Sequence, residues 1–282
     1  MGKTNNWDLI ITPHRGWFNF DLKNIWTYRD LIKLFVRRDI VSQYKQTIIG
    51  PFYFIITPIL ATIINMVIFG KIANLSTDGI PQFLFYMSGN LLWGYFASCL
   101  AAGKSIFQSN TSLISNVNFP RLCVPISQNI SALFRFTVQV LLFLSFYIYF
   151  LIQGAKFEAS WGLFLIPLLI LNCSILGLGT GILISSFTTK YKDINYLYNY
   201  ISRFWFYITP VVYPLSVIPE NMQYIASFNP MVGIIETSRY FIFGTGSVKT
   251  DYIFNGCFVT LLIFIIGLVA YNQVEKNFID TI

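Results

Sequence analysis

The chain has 282 residues, 55% of them hydrophobic and 11% charged, with a mean hydropathy of +0.60. A soluble globular chain, in which about a quarter of the residues are charged, does not reach such values, so the composition indicates an integral membrane protein. The net charge of +7 is not gathered on a soluble module, which argues against nucleic acid as a partner and for basic residues that set topology.

Residues 1–45 read as a cytoplasmic N-terminal segment. They carry charges of both signs (Lys3, Asp8, Arg15, Asp21, Lys23) and no apolar run of signal-peptide length, so the N-terminus is expected to be retained. From Tyr28 the pattern becomes helical: Tyr28, Leu31, Ile32, Phe35 and Val36 share one stripe, while Asp30, Lys33 and Arg37 lie opposite. Such a helix, with Arg29, Arg38 and Asp39 among its charges, is expected to lie flat on a membrane surface. Leu34 on the polar side and Asp39 on the apolar side fit instead an ordinary amphipathic helix packed on protein.

The uncharged run from Gln46 to Gly70 is long enough, at about 1.5 Å per residue, to cross a hydrocarbon core of roughly 30 Å. Further runs follow at Gly79–Gly103, at Leu122–Ala155 interrupted by Arg135, at Ala159–Thr189, at Ile194–Pro219 with Arg203, and at Tyr252–Val274. The simplest count is six spans, near 48–70, 81–103, 124–152, 162–188, 194–214 and 252–273, within a transmembrane domain over 46–274 that is followed by a cytoplasmic tail, 275–282. Most lysines and arginines outside the spans then fall on the side of the termini; Lys71, Lys156, Arg239 and Lys249 fall on the other. The positive-inside rule makes both termini cytoplasmic.

Between spans five and six, residues 215–250 are broken by Pro219 and Pro230 and include a mildly apolar stretch, Met231 to Phe243, too interrupted for a full crossing. Its Glu236 and Arg239, three apart, can pair on one helical face. This segment reads as an outer re-entrant or interfacial helical pair, tolerated at membrane depth where protein or water covers its backbone.

Catalytic chemistry is sparse. His14 is the only histidine, and Cys99, Cys123, Cys173 and Cys257 form no CxxC pair, so neither a zinc site nor a disulfide framework is supported. Gly103-Lys104-Ser105 resembles the end of a phosphate-binding loop, but Ser98 stands where that loop needs its first glycine. Polar residues within spans are better candidates. Gln128, Ser131, Arg135 and Gln139 share one helical face that should look inward, and Asn195, Asn199, Ser202 and Arg203 form a second stripe. Each stripe fits either a lining for a hydrophilic solute or interhelical hydrogen bonds that hold the bundle together. Gly177, Gly181 and Ser185 make a small-residue face for close helix packing. Tyr53, Phe69, Trp93, Phe96, Trp205 and Phe206 lie inside spans, where flat aromatic faces suit the C–H faces of sugar rings and equally suit a packed core.

Several segments carry a family resemblance. Tyr28-Arg29-Asp30, Arg38-Asp39, Tyr44-Lys45, Gly50 through Tyr53, and Pro58 resemble the entry segment of type-2 ABC transporter permeases that export polysaccharides such as O-antigen, capsule and teichoic acid. Asn110-Thr111-Ser112-Leu113-Ile114 and Phe119-Pro120-Arg121 resemble their cytoplasmic loop between spans two and three. Thr209-Pro210-Val211-Val212-Tyr213-Pro214, Asn229-Pro230-Met231, and Glu236 with Arg239 resemble their fifth span and outer re-entrant helices. Tyr53 stands where a tryptophan is usual, and Pro51 follows Gly50.

The resemblance implies an all-α membrane protein with six transmembrane helices per protomer, an N-terminal amphipathic interfacial helix and outer re-entrant helices. It implies a homodimer enclosing a channel, with one copy of a cytoplasmic ABC ATPase under each protomer. That partner would bind ATP and Mg; no cofactor, metal or catalytic residue is expected in this chain. The loop 104–121 would dock the ATPase through Asn110, Leu113, Ile114, Asn116, Phe119, Pro120 and Arg121. A lipid-linked glycan, O-antigen first among the options, would pass Tyr53, Phe69, Trp93, Phe96, Asn195, Asn199, Arg203 and Phe206. Pro210, Tyr213, Pro214, Asn229, Pro230, Glu236 and Arg239 would form the outer gate. The alternative cargoes are a teichoic acid, a capsule glycan, a drug or a lipid; a membrane-embedded glycan-modifying enzyme lacks the acid, base or metal set it would need. Ion-coupled transport is disfavoured because the uncharged runs bury no carboxylate. The expected location is the cytoplasmic membrane, in contact with its lipids.

Overall fold

The computed structural model describes residues 22–45, 52–107, 119–191, 193–246 and 250–278, and among these every regular element is a helix. A short α1, Leu22–Thr27, leads into α2, Arg29–Lys45; α3, Tyr53–Asn65, continues as a π-helical stretch, Met66–Ile72. Then come α4, Gln82–Lys104, and α5, Cys123–Ile152. A 3-10 turn, Trp161–Leu165, leads into α6, Ile166–Lys190, and α7 follows at Ile194–Ile208. The chain closes with α8, Glu220–Ala226, α9, Pro230–Phe243, and α10, Thr250–Phe278.

Among the described residues, four helical stretches are long and apolar enough to cross a membrane: Tyr53–Ile72, Cys123–Ile152, Trp161–Thr189 and Thr250–Val274. The other two expected spans differ for separate reasons. Helix α4 is long enough, but its sequence mixes Tyr86, Ser88, Gly89 and Asn90 with its apolar residues, because it is the central helix and is buried nearly all round. Helix α7 has 15 residues, about 22 Å, and stops at Ile208 where 194–214 was expected. The cause is Pro210: a residue before proline is pushed out of the helical region, and Thr209 is extended at ψ 140.

The bundle is built around α4 and α6, which approach almost backbone to backbone. A Cβ added at Gly103 would lie 2.7 Å from the carbonyl oxygen of Leu178, and one at Gly181 would lie 2.3 Å from that of Leu100. Helix α10 closes on the other side of α6, where a Cβ at Gly267 would come within 2.6 Å of the Gly179 carbonyl oxygen. Between lipid tails and leucines there is no hydrophobic drive to associate, so this close packing is what holds such helices together. Polar links add to it, among them Asn65 Nδ2 donating to Asn90 Oδ1 at 2.9 Å between α3 and α4.

Helix α2 lies along α5. Of its expected apolar stripe, Phe35 is buried and Tyr28, Leu31, Ile32 and Val36 are half-buried, while Asp30, Lys33, Leu34 and Arg37 are exposed. The stripe that should lie on a membrane surface thus meets protein first, and Leu34 is left on the outer face.

Candidate functional site

The outer gate residues named from the sequence converge on one locus, built where α7 breaks. Past Thr209 the chain turns sharply, leaving the carbonyls of Pro210 and Val211 without helical partners. Arg239, on α9 and only 2% exposed, fills that deficit. Its guanidinium donates to the Pro210 oxygen at 2.7 Å and the Val211 oxygen at 2.7 Å, to Glu236 Oε1 at 2.9 Å, and to the Phe85 oxygen on α4 at 3.4 Å. It also stacks 3.8 Å over the Phe85 ring. Gly89, one turn on, makes the room: a Cβ there would lie 2.7 Å from the guanidinium and 2.5 Å from the Val211 oxygen. Burial pushes the Glu236 carboxyl up, and the adjacent Arg239 charge opposes that rise. One side chain therefore ties α4, the break after α7, and α9 together.

Asn229 makes a second tie. Its side chain caps α9 by accepting from Met231 N at 3.2 Å, with Pro230 at the first helical position. The same oxygen accepts from Trp205 Nε1 on α7 at 3.1 Å, and Nδ2 donates to Thr209 Oγ1 at 2.9 Å. Tyr213 folds back and donates to the carbonyls of Tyr207 and Ile208 at 3.1 and 2.9 Å, closing the C-terminal end of α7. Buried Pro214 ends the turn, and Ser216 Oγ donates to Asp78 at 2.9 Å, fastening it to the loop before α4. Phe85, Gly89 and Asp78 were not foreseen, and Thr209 was named only as the start of the motif that ends in Pro214. Gly89, small within a bulky run, was the one legible sign that something large would pack there.

The aromatic candidates divide. Trp93, Phe96 and Phe206 pack on one another and on Trp205, with ring centroids 4.9 to 5.5 Å apart for the closest pairs, in edge-on or tilted arrangements that suit a core. Phe69 is half-buried against the same core. Tyr53 is different: 56% exposed, it lines a cavity of about 460 Å³ between α3, α4 and α5, together with Thr57, Ser98, Arg135 and Gln139. On α7, Asn199 and Arg203 are exposed among Tyr196, Tyr200, Phe204 and Tyr207, while Asn195 is half-buried. That face of α7 is open in the single chain.

At the opposite end, Phe119 packs edge-on against Phe35 of α2, centroids 5.9 Å apart, and Pro120 and Arg121 are half-buried. Asn110, Leu113, Ile114 and Asn116 lie outside the described residues. Along α2, Lys33 pairs with Asp30 at 3.0 Å and holds that carboxyl below its usual range. Arg38 pairs with Asp39 at 2.9 Å and lies 4.8 Å from the Phe35 ring, and Arg29 lies 6.0 Å from that of Trp26. Lys104, at the end of α4, places its ammonium 3.8 Å over the Tyr198 ring of α7. No group of histidine, cysteine and carboxylate side chains among the described residues could hold a metal.

The arrangement is thus a two-ended device: a hydrogen-bonded clamp at one end of α7 and a cation–ring contact at the other, with helix packing between. Residues 30–243 match the model of the ABC-2 type transporter family. The chain is 25% identical to the O-antigen export system permease protein RfbA of Klebsiella pneumoniae over 252 residues, covering 89% of this chain and 94% of that protein. It is 25% identical over 227 residues to the protein of the same name in Myxococcus xanthus, covering 79% and 83%. It is 22% identical over 254 residues to the polysialic acid transport protein KpsM of Escherichia coli, covering 85% and 91%.

Proposed function

This chain belongs to the ABC-2 type transporter family, and we propose that it is the permease subunit of an ATP-driven exporter moving a lipid-linked polysaccharide, O-antigen first among the options, across the cytoplasmic membrane. Its role is transport rather than catalysis. The observation that supports the cargo is likeness along nearly the whole length to permeases named for O-antigen export. The polysialic acid transporter, at 22% identity, keeps a capsule glycan as the second reading.

In this reading α4 and α7 join the four apolar stretches as six spans, both termini are cytoplasmic, α2 is the interfacial helix, and α8 with α9 is the outer re-entrant pair. Two copies enclose the channel, and the open face of α7 with Asn199 and Arg203 contributes to its wall. Two ATPase subunits, which carry the ATP and Mg, dock on loop 104–121. Movement of that loop is felt by α2 through Phe119 on Phe35 and by α7 through Lys104 on Tyr198. Helix α7 carries it outward to Asn229 and the Arg239 clamp, so one rod links motor and gate.

The test is export of O-antigen by cells carrying this chain with its ATPase. Replacing Arg121 by Ala, or Leu113 by Asp, is expected to lower surface glycan about tenfold or more, on the scale of losing one charged contact, while the chain still reaches the membrane. Normal export by both variants would remove the docking assignment.

Topology has its own check. Cys99, Cys123 and Cys173 are buried and Cys257 is half-buried, so in a Cys257→Ser background a membrane-impermeant maleimide has little else to react with. A cysteine replacing exposed Ser76 should react from outside intact cells, and one replacing Lys33 only after permeabilisation. The reverse pattern would defeat the six-span orientation.

A further inference from the structure

Arg135 is a guanidinium in a membrane-length helix that makes no hydrogen bond or ion pair among the described residues, and it faces empty space. Two cavities meet at it. One, of about 460 Å³, opens past Tyr53, Phe54 and Phe136; the other, of about 440 Å³, is lined by Ser42, Ala101, Ser105, Gln128 and Ser131, with Asp39 at its rim. Both include Ser98 and Arg135. The space has a hydroxyl-rich end and an aromatic end, joined at a cation: the shape of an amphiphile.

The depth agrees. Helix α5 runs from Cys123 to Ile152, about 45 Å, longer than a hydrocarbon core of roughly 30 Å. Counting back from Gln153, the first polar residue beyond the helix, about 20 residues fill the core. Arg135 then falls at its far boundary, the level of the phosphate layer. A cation at that depth is expensive unless it is fully paired, and an anion supplied by a lipid lowers the cost. Asp39, at the rim of the same cavity, already holds Arg38 through Oδ1 at 3.1 and 2.9 Å and so offers Arg135 only a shared charge.

We propose that the joined cavity is a lipid-binding site in which Arg135 holds the phosphate of an anionic lipid, Ser98 and Ser131 flank that phosphate, and the space beside Tyr53 and Phe136 takes the start of its chain. The inference rests on the membrane-length helices and the cavity, not on the identity of the exported cargo. The lipid is either a phospholipid of the bilayer or a polyprenyl phosphate of the kind that carries glycans; the chemistry at Arg135 is the same.

The test uses the full-length chain purified in detergent and titrated with phosphatidylglycerol, a polyprenyl monophosphate, or diacylglycerol, which lacks phosphate. A phosphate lipid is expected to raise the unfolding temperature progressively with its concentration, by about 5 °C or more at roughly 100 times its Kd, and diacylglycerol is not. A shift with phosphatidylglycerol alone identifies a bilayer lipid, and one with the polyprenyl phosphate alone identifies a carrier. Arg135→Gln should weaken the affinity about tenfold or more, the worth of a charged hydrogen bond, so that about ten times more lipid is needed for the same shift, and Arg135→Lys should restore much of it. Ser98→Leu, which keeps the arginine but fills the junction, should weaken it as well, and serves if the glutamine variant does not fold. No shift with either phosphate lipid, an equal shift with diacylglycerol, or an unchanged response in Arg135→Gln or in Ser98→Leu overturns the proposal.

Discussion

Replacing Arg239 by leucine is expected to cost the folded chain about 3–5 kcal/mol, the range for removing one partner of a buried, hydrogen-bonded charge pair. The size follows from what is stranded. Glu236 is left in a buried setting without its counter-charge, and the carbonyls of Pro210 and Val211 lose donors at 2.7 Å. They lie where α7 has already ended, so no helical N–H replaces the guanidinium. The unfolding temperature of the detergent-purified chain should fall by about 10 °C, taking roughly 2–4 °C per kcal/mol for a chain of this class. Lysine should rescue only part, since one ammonium cannot span three carbonyl groups and a carboxylate with the reach of a planar fork. Glu236→Gln keeps an acceptor and should cost less than Arg239→Leu. A leucine variant that melts within 2 °C of the parent and exports normally would show that the clamp is neither structural nor a gate.

The clamp gives the C-terminal end of α7 a discrete state. Arg239 and Asn229 both bond to the chain around the α7 break, so α7 cannot shift along its axis without breaking bonds to α9, to α4, or to both. Its N-terminal end is held more softly, by Lys104 over Tyr198. A rod fixed firmly at one end and lightly at the other responds to a push from the soft end. Under the proposed function, that soft end is where an energy-supplying partner docked on loop 104–121 would push.

How much of this was legible in the sequence depends on how local the signal was. Glu236 and Arg239 are three apart on one helix, and their pairing at 2.9 Å follows from helical spacing alone. Asn229-Pro230 is a local start signal and does begin α9. Gly177 and Gly181 marked the face of α6 that meets α4, because small residues four apart have few other uses in a membrane helix. The acceptors of Arg239 were invisible: Pro210 and Val211 come from a break nearly thirty residues away, and nothing in their own sequence says which cation will find them. Helix α4 was legible as a long apolar helix but not as the centre of the bundle, since burial on nearly every side leaves no periodic stripe to read. The aromatics illustrate the same limit, for Tyr53 and Trp93 look alike in sequence, yet one opens on a cavity and the other packs among rings.

The α4–α6 contact yields a prediction whose sign, not only its size, tests the fold. Gly181→Ala places a methyl 2.3 Å from the Leu100 oxygen and 2.8 Å from Gly103 Cα, and both neighbours are backbone, which cannot swing aside. The helices must part along the seam, so the loss should reach or exceed the roughly 1–3 kcal/mol of core overpacking. Gly94→Ala on α4 is the matched control, for a Cβ there meets nothing within 4 Å. In a helix interior alanine is favoured over glycine by about 0.5–1 kcal/mol, so this variant should melt slightly higher than the parent. The two substitutions are chemically identical and should move the unfolding temperature in opposite directions. Equal shifts, or a tolerated Gly181→Ala, would mean that α4 and α6 do not meet as described. The central helix, and the Arg239 clamp hung from Phe85 and Gly89 upon it, would then need another placement.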